Sequence, residues 1–162
     1  MDVKQSIRAN LDTSDFIVQA YLKDLAAAEL MSRPCHKANH IAWQLGHLIA
    51  SEAYFCERVK PGSAPALPAG FAERHKTPAA ASDDPKAFLG KDEYLKLMQQ
   101  VRAGTLNLLE SMSPADFDKA VEKVPPFIKT AGEALLFIGP HWTMHAGQWA
   151  VTRRNLGKPP LF

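Results

Sequence analysis

Apolar residues recur every three or four positions in four stretches of the chain, the pattern of helices with one buried face. The first predicted helix covers Val3–Leu25, where the polar segment Asp12–Asp15 is a point at which the helix can kink or split. The second covers His40 to about Val59, because Asn39 is a suitable N-cap and Pro61 stops the helix. Both helices should bury one face.

Two further helices follow. The third, Lys91–Met112, has a seam of alternating four-residue and three-residue steps that is typical of a bundle: Tyr94, Met98, Val101, Thr105, Leu108 and Met112. The fourth, Thr130–Leu156, opens with a capping box formed by Thr130 and Glu133. Pro140 lies inside it and predicts either a kink or a break between two helices.

The segment Lys60–Gly90 between the second and third helices holds five of the twelve prolines and is predicted to be a long irregular crossover. Loops of this length are usually functional or mobile, so the crossover could form a lid. His75, within it, is expected to be a solvated surface residue. Four long helices without a strand pattern predict an all-α four-helix bundle, and 162 residues fit a single domain spanning 1–162.

Composition and charge exclude several classes of protein. The 19 basic and 17 acidic side chains are scattered, whereas a nucleic-acid binder would show a basic patch. No apolar run approaches the roughly 18 residues of a membrane span, and no signal segment opens the chain. Cys35 and Cys56 form no CxxC pattern, which predicts reduced thiols rather than a disulfide or a cysteine zinc site. A cytoplasmic protein without nucleic-acid or membrane partners is expected.

His141 and His145 are the strongest chemical signal, because they lie four residues apart on the fourth helix. Such side chains lie about 40° apart around the axis and roughly 6 Å along it, so both imidazoles can point at one spot. That is a metal-ligand spacing. The pair could equally be core or boundary residues satisfied by hydrogen bonds, and the helix alone does not decide between these interpretations.

A third ligand is not evident from periodicity. The second helix carries a narrow polar strip with Trp43 and Tyr54 alongside it: His40, Gln44, His47, Ser51 and Arg58. Periodicity allows His47 to face solvent. Glu52 lies about 140° around the helix from His47, so it is expected to pack elsewhere or pair at the surface. No general base is therefore obvious.

Three segments together resemble the DinB/YfiT-like superfamily of metal-binding four-helix bundles: Asn39–Leu48, His141–Gln148 and Arg153–Gly157. The resemblance spans essentially the whole chain. In that superfamily one histidine of the second helix and two of the last bind zinc or nickel. By position, the resemblance implies His47, His141 and His145 as metal ligands, with the His47 strip turned inward. It also implies a homodimer.

The superfamily includes thiol-dependent enzymes such as mycothiol-dependent maleylpyruvate isomerases and bacillithiol S-transferases. The resemblance therefore implies a metal-dependent transferase that uses a low-molecular-weight thiol on a small-molecule substrate. A metal-dependent hydrolase, a non-catalytic metal-stabilised binding or stress protein, and a purely structural histidine cluster are the alternatives. No catalytic residue besides the ligands is assigned.

Several neighbours of the implied ligands are candidates for lesser roles. Trp43, Met144 and Gln148 are candidates for lining the substrate site, although Gln148 could instead be a helix-packing amide. Gly147 would permit close approach of another helix. His36 and His40 are expected not to be ligands.

Overall fold

The structure, a computed structural model, describes residues 1–162 and confirms the all-α class. It contains no strand, only an isolated bridge between Ala120 and Thr130. All four long predicted helices are present, and a short helix lies in the crossover. The helices are α1 Val3–Leu22, α2 Ile41–Val59, α3 Phe71–Arg74, α4 Lys91–Ser111 and α5 Ala131–Asn155.

Helix ends differ from the prediction by up to three residues. α1 ends at Leu22 rather than at Leu25, and it runs unbroken through the polar segment 12–15. There Ser14 is buried, and its Oγ donates to the Leu11 carbonyl oxygen at 2.8 Å. At α2 the N-cap is His40 rather than Asn39, because His40 Nδ1 accepts the Trp43 backbone N–H at 3.0 Å. The capping side chain is therefore an imidazole.

Helix α5 begins as predicted, at the capping box formed by Thr130 and Glu133. It then continues as one helix through Pro140, so the alternative of a break between two helices is wrong. Next to the proline, Gly139 lies so close to Asn10 of α1 that a Cβ there would collide with the asparagine side chain. The absence of a side chain at Gly139 thus permits α1 and α5 to approach closely.

The four long helices contact one another in a closed cycle, in which α1 packs on α5, α5 on α2, α2 on α4 and α4 on α1. Every residue of the seam predicted on the third helix is buried. Met112, the last of them, caps the C-terminus of α4 instead of belonging to it. The hydrophobic core is a single cluster.

A charged pair lies in the core, formed by Glu52 of α2 and Arg102 of α4. Arg102 Nε and Nη2 donate to the two carboxylate oxygens at 2.9 and 3.2 Å. Glu52 also accepts from Thr105 Oγ1 at 2.7 Å and from Trp142 Nε1 at 2.6 Å. Glu52 is only 2% exposed, so of the two expected environments it packs elsewhere, in the core, and the alternative of a surface pair is wrong. With four bonds to its oxygens, this carboxylate is not free to act as a general base.

The crossover between α2 and α4 packs against α2, and the expectation for His75 is wrong. Its side chain is buried, with Nδ1 2.8 Å from the Phe71 carbonyl oxygen and Nε2 2.7 Å from the Tyr94 hydroxyl. A carbonyl only accepts, so Nδ1 carries the proton and Nε2 accepts from Tyr94. Burial lowers the pKa of His75, consistent with a neutral ring. Gly46 of α2 leaves the space that this ring fills.

His40 and Arg33 hold the segment 80–83 of the crossover. His40 Nε2 lies 3.2 Å from the Ser82 carbonyl oxygen, and burial lowers the pKa of this histidine to about 4. Arg33 binds the Asp83 carboxylate at 2.7 Å and the Ala80 carbonyl oxygen at 3.0 Å. The crossover is therefore held against α2 at His75, and against the N-cap of α2 at Ser82.

Replacing Gly46 by Ala should destabilise the fold. The added Cβ would collide with the imidazole ring of His75, which cannot turn away without losing two hydrogen bonds. We expect the free energy of unfolding of the metal-free protein, measured by urea denaturation, to fall by about 1–3 kcal/mol.

Gly147→Ala is the matched control, because no atom beyond the adjoining residues and backbone of α5 lies within 4 Å of a Cβ at that position. It should raise the free energy of unfolding by up to about 1 kcal/mol through helix propensity alone. Equal stabilisation by both substitutions would contradict the close packing of His75 on Gly46.

Candidate metal centre

Three histidines converge between α2 and α5. One ring nitrogen from each of His47, His141 and His145 lies within 4.8 Å of the others. The ring centroids are 5.2 Å apart for His47 and His141, 5.5 Å for His47 and His145, and 5.2 Å for His141 and His145. His47 therefore faces α5, although periodicity alone allowed it to face solvent.

Two of the three rings stack on an aromatic side chain one helical turn earlier. His47 lies on Trp43, with centroids 4.9 Å apart and planes 6° from parallel, and His141 lies on Phe137 at 5.5 Å and 18°. Trp43 is buried, and its indole N–H donates to the Lys76 carbonyl oxygen of the crossover at 3.2 Å. The structure thus places Trp43 behind His47, as a support for the ring.

The third ring is held by a hydrogen bond. His145 Nδ1 lies 2.9 Å from the side-chain oxygen of Gln44, which is fully buried on α2. Sequence reasoning placed Gln44 on the same polar strip as His47 but gave it no role. The missed signal is an amide at the first turn of a nearly all-apolar helix, three residues before His47.

Burial keeps the cluster neutral. It is the main cause that lowers the pKa of all three histidines, to about 4 for His141 and about 3 for His145. The neighbouring imidazoles lower the values of His141 and His145 further. At neutral pH the three rings are therefore uncharged, which is the state in which histidine binds a metal.

The donor set fits a divalent transition metal. It contains three imidazoles and no further histidine, cysteine or carboxylate. Imidazole suits zinc and nickel, and three protein ligands leave at least one coordination position open, as in catalytic zinc sites. Structural zinc sites, by contrast, are closed by four protein ligands.

The other histidines and both cysteines lie outside this cluster. His36 is exposed, while His40 and His75 hold the crossover, as described above. Cys35 is exposed, and Cys56 is buried against Thr105 with an Sγ to Oγ1 distance of 3.2 Å. Burial raises the pKa of Cys56 to about 12, so its thiol is not ionised at neutral pH.

A cavity of about 570 Å³ lies between α5 and the loop 34–39. It is lined by Met144 and Gln148, the other two candidates for the substrate site. Gln148 accepts a hydrogen bond from Gln44 Nε2 at 3.1 Å. Gly147 also borders this cavity. No other helix of the chain packs closely on it, so the expected close approach of a helix at Gly147 does not occur within the chain. A larger cavity of about 740 Å³ lies between α1 and α4, away from the histidines.

The fold and the cluster together define a class of protein: an all-α chain whose second and last long helices supply three histidines that could hold a metal ion. The sequence pattern of the DinB superfamily matches residues 12–149, a span that contains all three histidines. The chain therefore belongs to the DinB superfamily, which is metal-binding in general. A comparison with curated protein sequences found no match. None of the helices has the length and apolarity needed to cross a membrane.

Removal of any one of the three histidines should abolish metal retention. We expect tag-free protein to hold about one metal per chain by mass spectrometry, and His145→Ala to lower zinc affinity by about 100-fold or more, since loss of a supporting residue alone costs 10–100-fold. His36→Ala is the matched control, because His36 is exposed and lies outside the cluster. Retention of the metal by His145→Ala would contradict the assignment.

Proposed function

We propose that this member of the DinB superfamily is a metal-dependent S-transferase, which joins a low-molecular-weight thiol to a small electrophilic substrate. His47, His141 and His145 hold zinc or nickel. The observation that carries the proposal is the convergence of three neutral imidazoles without a fourth protein ligand. Such a centre has room for a ligand that comes from outside the chain.

The chemistry of the surroundings favours a thiol as that ligand. When bound, a divalent metal lowers the pKa of a coordinated thiol or water and so supplies a nucleophile. The chain's own cysteines do not join the cluster, and Glu52 is committed to Arg102, Thr105 and Trp142. A thiol ionises readily without a base, whereas zinc hydrolases commonly place a glutamate beside the water. The hydrolase remains the second candidate.

In the proposed reaction the thiol sulfur forms a bond to an electrophilic carbon of the substrate. The leaving group departs with the electron pair of the broken bond, and the thiol proton passes to solvent. The imidazoles of the cluster stay neutral throughout, because burial opposes their protonation. The contribution of the chain is to hold the reacting groups together, which is worth several kcal/mol of the barrier in general.

A cavity linked to the cluster through Gln148, which accepts from the Gln44 side chain that faces His145, is the candidate substrate space, although none of the three histidines lines it. Its volume of about 570 Å³ lies within the usual range of roughly 300–1,000 Å³ for small-molecule sites. Its loop wall is held in place, since Arg33 Nη1 donates to the Ala38 carbonyl oxygen at 2.6 Å and Asn155 Nδ2 donates to the Pro34 carbonyl oxygen at 2.9 Å. Met144 and Gln148 would then contact the substrate.

The test compares turnover with and without thiol. Zinc-loaded or nickel-loaded protein should conjugate bacillithiol or mycothiol to 1-chloro-2,4-dinitrobenzene, with release of chloride. We expect the rate to fall by about 100-fold or more in His145→Ala, since the ligand set is incomplete. The rate should be unchanged in His36→Ala.

Two other outcomes would overturn the transferase. Metal-dependent hydrolysis of 4-nitrophenyl acetate, without any requirement for thiol, would support the hydrolase. A metal that raises the melting temperature without either turnover would support the non-catalytic alternative.

We also propose a single-domain, cytoplasmic four-helix bundle that forms a homodimer. The closed cycle of helix contacts supports the bundle, and two unpaired cysteines are consistent with a reducing compartment. α5 supports the dimer with an exposed apolar ridge along one face, in which Leu136, Met144 and Val151 are 43%, 57% and 43% exposed. A second copy packed on this ridge would also close one side of the cavity.

Sedimentation equilibrium tests the dimer. The wild-type protein should have twice the chain mass of 17.8 kDa. Leu136→Glu should yield monomers, because it places a charge in the ridge. Phe16→Glu, at an exposed apolar position of α1 away from the ridge, should remain dimeric. A monomeric wild-type protein would refute the dimer and leave the metal centre unaffected.

A further inference from the structure

We propose that Gln44 is a positioning residue of the metal centre, whose side-chain oxygen orients His145 so that Nε2 faces His47 and His141. This inference rests on the proposed function, because orienting His145 matters only if this residue binds a metal. The contact between Gln44 and His145 can be tested in the metal-free protein.

The Gln44 amide is completely buried and uses its full hydrogen-bonding capacity. Its oxygen accepts from Trp149 Nε1 at 2.8 Å and faces His145 Nδ1 at 2.9 Å. Its nitrogen donates to the Asn39 carbonyl oxygen at 2.5 Å and to Gln148 Oε1 at 3.1 Å. An amide has two donor hydrogens and two acceptor positions, and all four are engaged here.

Two of these partners independently determine which way the amide points. An indole N–H can only donate, so the atom that faces Trp149 must be the oxygen. A backbone carbonyl can only accept, so the atom that faces Asn39 must be the nitrogen. Rotation of the amide by 180° would leave both buried bonds unmade, at a cost of about 1–3 kcal/mol for each group.

The orientation of Gln44 in turn determines the tautomer of His145. The glutamine oxygen can only accept, so His145 Nδ1 must carry the proton. A neutral imidazole has one ring proton, and the lone pair therefore lies on Nε2. Nε2 is then the only nitrogen of this residue that can bind a metal.

Gln44 is distinctive among the contacts of the cluster. The rings of His47 and His141 are held by stacking and form no hydrogen bond with the chain. A stacked ring can present either nitrogen after rotation, whereas a hydrogen bond to one nitrogen commits the other to the metal. Partners of this kind usually contribute 10–100-fold to metal affinity.

The experiment uses full-length, tag-free protein and compares Gln44→Met with Gln44→Glu. Methionine has a similar length but lacks the strong acceptor, whereas glutamate keeps an acceptor for both Trp149 and His145. Two-bond ¹H–¹⁵N spectra of the metal-free wild-type protein at neutral pH should show His145 with its proton on Nδ1. Gln44→Met should lose this preference, and its zinc dissociation constant should rise by about 10–100-fold.

Rescue separates orientation from stability. Gln44→Glu should restore the Nδ1 proton and most of the zinc affinity, although it loses the two hydrogen bonds that Gln44 Nε2 donates to Asn39 and Gln148, because a carboxylate only accepts. Thr105→Val is the control for a buried polar bond lost elsewhere, because Thr105 Oγ1 donates to Glu52 at 2.7 Å. It should lower the melting temperature without changing zinc affinity.

The outcomes distinguish this inference from the proposed function. A His145 proton on Nε2 in the metal-free wild type, or zinc affinity within threefold of wild type in Gln44→Met, would overturn the role of Gln44 while leaving the metal centre in place. A wild-type protein that binds neither zinc nor nickel would overturn the proposed function. The tautomer spectrum and its response to Gln44→Met would still decide whether Gln44 orients His145.

Discussion

The buried pair of Glu52 and Arg102 is the interaction on which the arrangement of the helices depends. Arg102 Nη1 also donates to the Leu11 carbonyl oxygen at 2.7 Å, and Glu52 accepts from Trp142, so this one network joins α1, α2, α4 and α5. A charged group left without its partner in the core costs about 3–5 kcal/mol, which opposes any sliding of one helix against the others.

Each histidine of the cluster is then held by a different local contact. His47 rests on Trp43, which the crossover holds through the Lys76 carbonyl oxygen, and His141 rests on Phe137. His145 is held by Gln44. The crossover thus supports the histidine cluster without adding a histidine to it, because it covers the face of α2 next to His47. The glycine at position 46 makes this covering possible, since it admits the ring of His75.

The cluster concentrates uncharged donors at one place, and the nearby carboxylate of Glu52 is paired with Arg102. The buried carboxylate is paired, the buried thiol is protonated, and the three imidazoles are neutral. A centre of this kind supplies no nucleophile from its own side chains. The reactive group in the proposed chemistry must therefore enter from outside, and the cavity lined by Met144 and Gln148 is the space proposed to receive the substrate.

The sequence by itself determined the four long helices and the pairing of His141 with His145, because both follow from contacts within a few residues along one helix. It did not determine the side to which His47 points, which was inferred by resemblance. The burial of His75, the buried pairing of Glu52 and the contact of Gln44 with His145 were decided only by the tertiary structure. Periodicity describes which residues share a face of a helix, but not which distant segment covers that face. Whether a polar side chain there meets water, a ring or a charge depends on that segment.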